Sequence, residues 1–164
     1  MANGPSPKHI TFVCTGNICR SPMAEALLRH ALDAEAEPLR SMPIISTGLA
    51  ACIGEPASPN SVRALKNVGI DLVSHRSRAL TQELLNNSVA VFGMTGQHLR
   101  SIRARFNPVP EHLYLMRGLM PEGVSREIPD PYGMGLTEYE ACRDSMVEAI
   151  PSLVAFLRKV TGMA

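Results

Sequence analysis

One run of ten residues, Val13-Cys14-Thr15-Gly16-Asn17-Ile18-Cys19-Arg20-Ser21-Pro22, constrains the fold of this chain more than any other part of it. Ahead of it, Ile10-Thr11-Phe12-Val13 is short, β-branched and aromatic, as suits a buried strand of a parallel sheet. Behind it, Ala24, Leu27, Leu28 and Ala31 recur at i, i+3, i+4 and i+7, the stripe of a core-facing helix with Ser21 and Pro22 at its first positions. Strand, tight loop and helix in succession aim the loop N–H groups and the positive end of the helix dipole at one point, which makes the loop an anion cradle. Gly16 is free to take positive φ and Asn17 is the next residue most tolerant of it, so the loop is expected to wind tightly around a bound group.

The cradle begins with a thiol and ends with a guanidinium. Five residues separate Cys14 from Arg20, and a loop closed round one tetrahedral anion at that spacing puts the sulfur below it and the planar Arg fork alongside. A helix N-terminus and a neighbouring cation both favour the thiolate, which is the nucleophilic form. Ser21 is placed to donate a hydrogen bond to that sulfur. No G-x-G-x-x-G follows the strand and no Gly-Lys-Ser/Thr follows the loop, so the nucleotide-binding readings lack their defining residues.

With 164 residues, 45% of them hydrophobic, the chain is expected to form one domain over residues 8–164, preceded by a mobile tail at 1–7. A net charge of +1 without a basic run speaks against nucleic acid as a partner, and no apolar run approaches membrane-spanning length. A cytoplasmic protein without membrane insertion is expected. The cysteines, at 14, 19, 52 and 142, form no C-x-x-C pair and the five histidines are scattered, so neither a metal nor another cofactor is expected.

Further along, residues 42–46 read as a second strand, placed at a sheet edge by Pro43. A loop over 48–57 leads to a helix begun by Ser58 and Pro59, with Val62, Leu65 and Val68 as its stripe and Gly69 as its cap. A short helix at 81–85, a strand at 89–94, an arginine-rich solvated helix at 97–105 and a strand at 113–116 follow. Residues 117–131 form a long loop. From residue 137, Tyr139, Cys142, Met146, Ile150, Leu153 and Leu157 outline a last helix, bent or split at Pro151. Alternating strands and helices imply an α/β fold of three layers, a parallel sheet with helices on both faces.

The run from Val13 to Pro22, continued by Met23-Ala24-Glu25, resembles the signature loop of the low-molecular-weight protein tyrosine phosphatase family. So do Ser46-Thr47-Gly48, the segment from Gly69-Ile70 to His75-Arg76-Ser77-Arg78, and Asp130-Pro131-Tyr132. The resemblance implies four strands in the order 2-1-3-4, Cys14 as nucleophile, Arg20 as oxyanion clamp and Asp130 as general acid. It makes Thr15, Gly16, Asn17, Ile18 and Cys19 the phosphate-binding loop, with Ser21, Ser46 and His75 in support, the histidine through a contact to Asn17. Ile18, Cys52 and Tyr132 are expected along the substrate slot. Where the family often carries a large aromatic, this chain has Cys52 and no tryptophan. A reversible disulfide between Cys14 and Cys19 stands beside simple space-filling by Cys19.

The implied activity is hydrolysis of phosphotyrosine in proteins through a phosphocysteine, without a metal, with phosphotyrosine proteins as partners and tyrosine kinases among them. Phosphoarginine hydrolysis is the alternative, because one bacterial branch of the family resembles this chain at Met94-Thr95 and around Asp130-Pro131. That branch is characterised by Thr where this chain has Ile18, and an apolar residue suits an aromatic ring. Arsenate reductases share the scaffold but need a further cysteine pair, and only Cys52 and Cys142 remain. A silent phosphate-binding module is disfavoured by the presence of nucleophile, cation and acid together.

Overall fold

Strand β1 (His9–Cys14) is buried along its whole length. In the computed structural model, which describes residues 8–163, it pairs in parallel with β2 (Ile44–Gly48) on one side and β3 (Ser88–Gly93) on the other. β3 in turn pairs in parallel with the short β4 (Leu113–Leu115), giving the order β2-β1-β3-β4. The expected N-terminal tail, residues 1–7, lies outside the described residues. Pro43 immediately precedes the edge strand β2, where its carbonyl accepts from Ile10 N at 2.9 Å and its missing N–H deprives no neighbour.

Side-chain alternation along the strands divides the core in two. Ile10, Phe12 and Cys14 of β1 and Ala90 and Phe92 of β3 point to one side. There they meet α1 (Arg20–Leu32) and α5 (Leu136–Val160), with α2 (Pro59–Lys66) against α5. Val13 and Val91 point to the other side, against Leu85 of α3 (Gln82–Asn86) and Ile102 of α4 (Gly96–Arg105). The result is three layers with helices on both faces. Each strand's C-terminal end faces one edge of the sheet, and the β1–α1 loop emerges there beside the segments that follow β2 and β3, the crevice where open α/β sheets bind ligands.

Two local expectations are corrected. The buried face of α2 is Ser61, Ala64 and Leu65, whereas Val68 lies beyond the helix end and is 47% exposed. α5 runs unbroken through Pro151. Proline removes one N–H and crowds the carbonyl four residues earlier, and both that residue, Val147, and Pro151 lie on the exposed side of the helix, away from the core.

Candidate active site

Cys14 ends β1 at the floor of a cavity of about 240 Å³ lined by Cys14, Thr15, Gly16, Ile18, Cys19, Arg20, Asp130 and Tyr132. The Cys14 sulfur, almost wholly buried, accepts the backbone N–H of Asn17 at 3.3 Å and lies 2.9 Å from Ser21 Oγ. A larger groove of about 440 Å³ runs between α2 and residues 69–73, but its lining residues, among them Val62, Lys66, Ile70 and Asp71, include no cysteine, serine, threonine or histidine.

Asn17, and not Gly16, supplies the left-handed turn of the loop, with φ of 57°. The asparagine amide is engaged on every side. Its Nδ2 donates to Ser21 Oγ at 2.8 Å and Ser46 Oγ at 3.0 Å, and its Oδ1 accepts Arg78 N at 2.8 Å. Its backbone carbonyl accepts His75 Nε2 at 2.7 Å, so the expected contact from His75 falls on the main chain. Burial, aided by Arg78 and Arg76, pushes the His75 imidazole down from its ordinary value, while the bond to Asn17 opposes that shift. Gly48, paired with Cys14 across the sheet, stands directly behind this network. A Cβ there would lie 2.6 Å from the Thr15 carbonyl oxygen and 3.0 Å from Asn17 N, so the loop can lie this close only over a glycine.

Arg20 opens α1 almost fully buried. Its Nη1 donates to the Ile128 carbonyl at 3.0 Å and its Nη2 lies 3.6 Å from Asp130 Oδ2, so one guanidinium joins the loop to the segment that carries the acid. The Asp130 carboxylate also accepts Tyr132 N at 3.1 Å and is about half exposed toward the cavity mouth. Tyr132 is 68% exposed at the rim and Ile18 is half-buried on the wall. Cys52 stands apart: it is exposed on the turn after β2, its carbonyl takes the Ser77 hydroxyl, and it does not line the cavity. Cys19 is buried beside Cys14 with its sulfur 3.3 Å from Tyr139 Oη, and burial raises its thiol above the ordinary value. All four cysteines are free.

The residues alone assign no role to two groups, buried His98 and half-buried Glu25. His98, in the first turn of α4, is 4% exposed; its Nδ1 accepts the N–H groups of Met94 (3.2 Å) and Thr95 (3.3 Å), and its Nε2 reaches Thr15 Oγ1 at 3.1 Å. The available signal was a histidine three residues after Thr95, where a side chain can cap a helix start. Glu25, within the matched run, is pushed up to about 6 by burial, with Arg78 and hydrogen bonds from Ser46 resisting. Among the described residues, no group of three or more His, Cys, Asp or Glu is arranged to hold a metal ion.

Comparison with known proteins places nearly the whole chain within one family. The model of the family described as low molecular weight phosphotyrosine protein phosphatase matches residues 9–161. The chain is 34% identical to the probable low molecular weight protein-tyrosine-phosphatase EpsP of Ralstonia nicotianae, over 92% of this chain and 97% of that one. It is 36% identical to the protein-arginine-phosphatase of Bacillus subtilis, again over 92% and 97%. Among solved structures, the low molecular weight protein tyrosine phosphatase from T. tengcongensis superposes with a TM-score of 0.80 at 31% identity, covering 90% of this chain and 98% of that one.

Proposed function

Because the chain belongs to the low molecular weight phosphotyrosine protein phosphatase family, we propose that it hydrolyses phosphotyrosine in proteins through a phosphocysteine formed on Cys14, without a metal ion. The observation that carries this reading is a sulfur accepting a loop N–H at the floor of a cavity whose walls bring Arg20 and Asp130 within 3.6 Å of each other. In the first step Cys14 Sγ attacks phosphorus in line, forming P–S as P–O breaks. Loop N–H groups and Arg20 hold the equatorial oxygens as charge develops. Asp130 gives its proton to the departing tyrosyl oxygen. In the second step the Asp130 carboxylate takes a proton from water, the water oxygen attacks phosphorus and P–S breaks, returning the thiolate and releasing phosphate. Ser21, fixed by Asn17, turns its one proton from the Thr47 carbonyl at 3.2 Å to the sulfur as leaving group, and Ser46 and His75 hold Asn17 in place.

Phosphoarginine is the second reading, supported by the likeness to the Bacillus subtilis protein-arginine-phosphatase. Ile18 on the cavity wall favours tyrosine, since a branched apolar side chain packs on an aromatic ring and offers a guanidinium no hydrogen bond. Phosphotyrosine proteins are accordingly the proposed partners, tyrosine kinases among them. A free nucleophilic thiol suits the reducing cytoplasm. No helix among the described residues is long and apolar enough to cross a membrane. Side-by-side assays test the assignment: phosphotyrosine peptides should be turned over faster than phosphoarginine peptides, with both activities lost in Cys14→Ser. Preference for phosphoarginine would reverse the substrate, and hydrolysis surviving in Cys14→Ser would reject the mechanism.

A further inference from the structure

His98 has a protonation pattern that its neighbours dictate. Two backbone N–H groups, of Met94 and Thr95, point at Nδ1, and an N–H can only donate. Nδ1 is therefore the bare nitrogen and Nε2 carries the ring proton. Nε2 lies 3.1 Å from Thr15 Oγ1, so the imidazole donates and the threonine oxygen accepts. Of the hydroxyl's lone pairs one is then occupied, and its own proton remains to be donated elsewhere. Thr15 is exposed and lines the cavity between Cys14 and Gly16.

The same ring sits at a junction. Met94, whose N–H it accepts, takes Ile128 N on its carbonyl at 2.9 Å, and Gly96 N donates to Glu127 at 2.9 Å. The turn that His98 holds thus carries the segment leading to Asp130, while its other nitrogen holds the first residue after the nucleophile. Burial, with Arg20 adding to it and Asp130 and Glu127 opposing, pushes the imidazole down to about 4. The ring is thereby kept neutral at the pH values where a cationic ring would confront two N–H donors.

We propose that His98 is a positioning residue for the phosphatase reaction: its Nε2–H turns the Thr15 hydroxyl proton toward the oxyanion held in the cavity, and its Nδ1 fixes the turn that supports the acid-bearing segment. This inference rests on the phosphatase reading, which stands or falls separately on whether the wild-type enzyme hydrolyses phosphoesters and is inhibited by orthovanadate.

The test has one spectroscopic and one kinetic arm. Nitrogen-15 NMR of the wild-type histidines should show His98 protonated at Nε2 and silent to titration between about pH 5 and 8. A proton on Nδ1, or titration in that window, would overturn the proposal. Orthovanadate inhibition is then measured for Thr15→Val, Thr15→Ser, His98→Asn and the double variant Thr15→Val/His98→Asn. In His98→Asn the shorter side chain would still serve the Met94 and Thr95 amides through its carbonyl oxygen but could not reach Thr15. Thr15→Val and His98→Asn should each weaken vanadate about tenfold, the size expected for one hydrogen bond to an anion. Thr15→Ser should retain wild-type inhibition, and the double variant should lose no more than either single one. Wild-type inhibition in Thr15→Val, or losses that multiply in the double variant, would contradict the arrangement. Thr15→Val decides the matter even if His98→Asn does not fold.

Discussion

Arg20 Nη1 donates to the carbonyl of Ile128 at 3.0 Å, two residues ahead of Asp130. The guanidinium that clamps the oxyanion in the proposed reaction therefore also orients the segment that delivers the proton. Arg20→Lys keeps the charge but loses the planar fork, and a compact ammonium cannot serve the carbonyl and two phosphate oxygens together. kcat/KM on a phosphotyrosine peptide should fall about 100-fold or more, the scale of losing a transition-state donor. A loss below tenfold would show that charge alone suffices.

In the proposed reaction Asp130 acts only after substrate is bound. Asp130→Asn should lower kcat about 10²- to 10⁴-fold, the usual range for general acid catalysis, with vanadate inhibition nearly unchanged. The loss should shrink for aryl phosphates whose leaving group needs no proton. Equal losses of turnover and vanadate binding would make Asp130 a structural residue of the turn it shares with Tyr132.

Asn17 combines a left-handed backbone with an amide whose two protons are both engaged. Asn17→Gly relieves the backbone cost but loses the side-chain bonds, whereas Asn17→Ala loses the bonds and strains the backbone as well. Chemical denaturation should find Asn17→Ala less stable than Asn17→Gly by about 1 kcal/mol, the cost of a non-glycine residue in that region. Both variants should lose activity, since both free Ser21 from its donor. Equal stabilities would mean that the loop relaxes away from this conformation.

Gly48→Ala would drive a methyl group against the Thr15 carbonyl. A destabilisation of about 1–3 kcal/mol is expected, as for overpacking at a site that cannot yield. Activity should fall at the same time, because the displaced backbone is that of the anion loop. Unchanged kcat with lowered stability would place the adjustment on the β2 side.

Glu25 gives the fold a pH dependence of definite sign. Its folded value is raised to about 6 from 4.5, so the folded state holds this proton more tightly than the unfolded chain. The contribution is fully present below pH 4.5 and is lost as pH rises through 6. Relative to Glu25→Gln, the wild type should lose stability across that interval and differ by a constant amount above it. His98 runs the opposite way: its folded value near 4 against 6.5 means that its contribution is lost as pH falls from 6.5 toward 4. Denaturant unfolding at several pH values separates the two, and a pH-independent gap between wild type and Glu25→Gln would contradict the Glu25 assignment.

How far the residues alone foretold these features depended on the kind of signal each carried. The sheet order, the edge position set by Pro43 and the placement of Cys14 at a strand end came from local composition and family resemblance together, because strand burial and proline geometry are written residue by residue. Asn17 took the left-handed turn in place of Gly16 because side-chain bonding to residues 21, 46 and 78 outweighed glycine's backbone freedom, and such partners are distant in sequence. His98 lay hidden in a helix whose arginines suggest solvent, since burial by a neighbouring loop leaves no periodic trace. Resemblance to the family puts Cys52 near the point where an aromatic often stands, yet the turn after β2 carries it outside the lining. Pro151 implies a helix bent or split there, and α5 is not split, since proline sits on its exposed side away from the packed face.

The most direct measurement is acid-quenched trapping of the enzyme during turnover of a phosphotyrosine peptide, with the modified residue located by mass spectrometry. A phosphoryl group on Cys14, longer-lived in Asp130→Asn with an activated aryl phosphate and missing from Cys14→Ser, is the predicted result. Turnover without any phosphoryl on Cys14, or with the label on another residue, would contradict it.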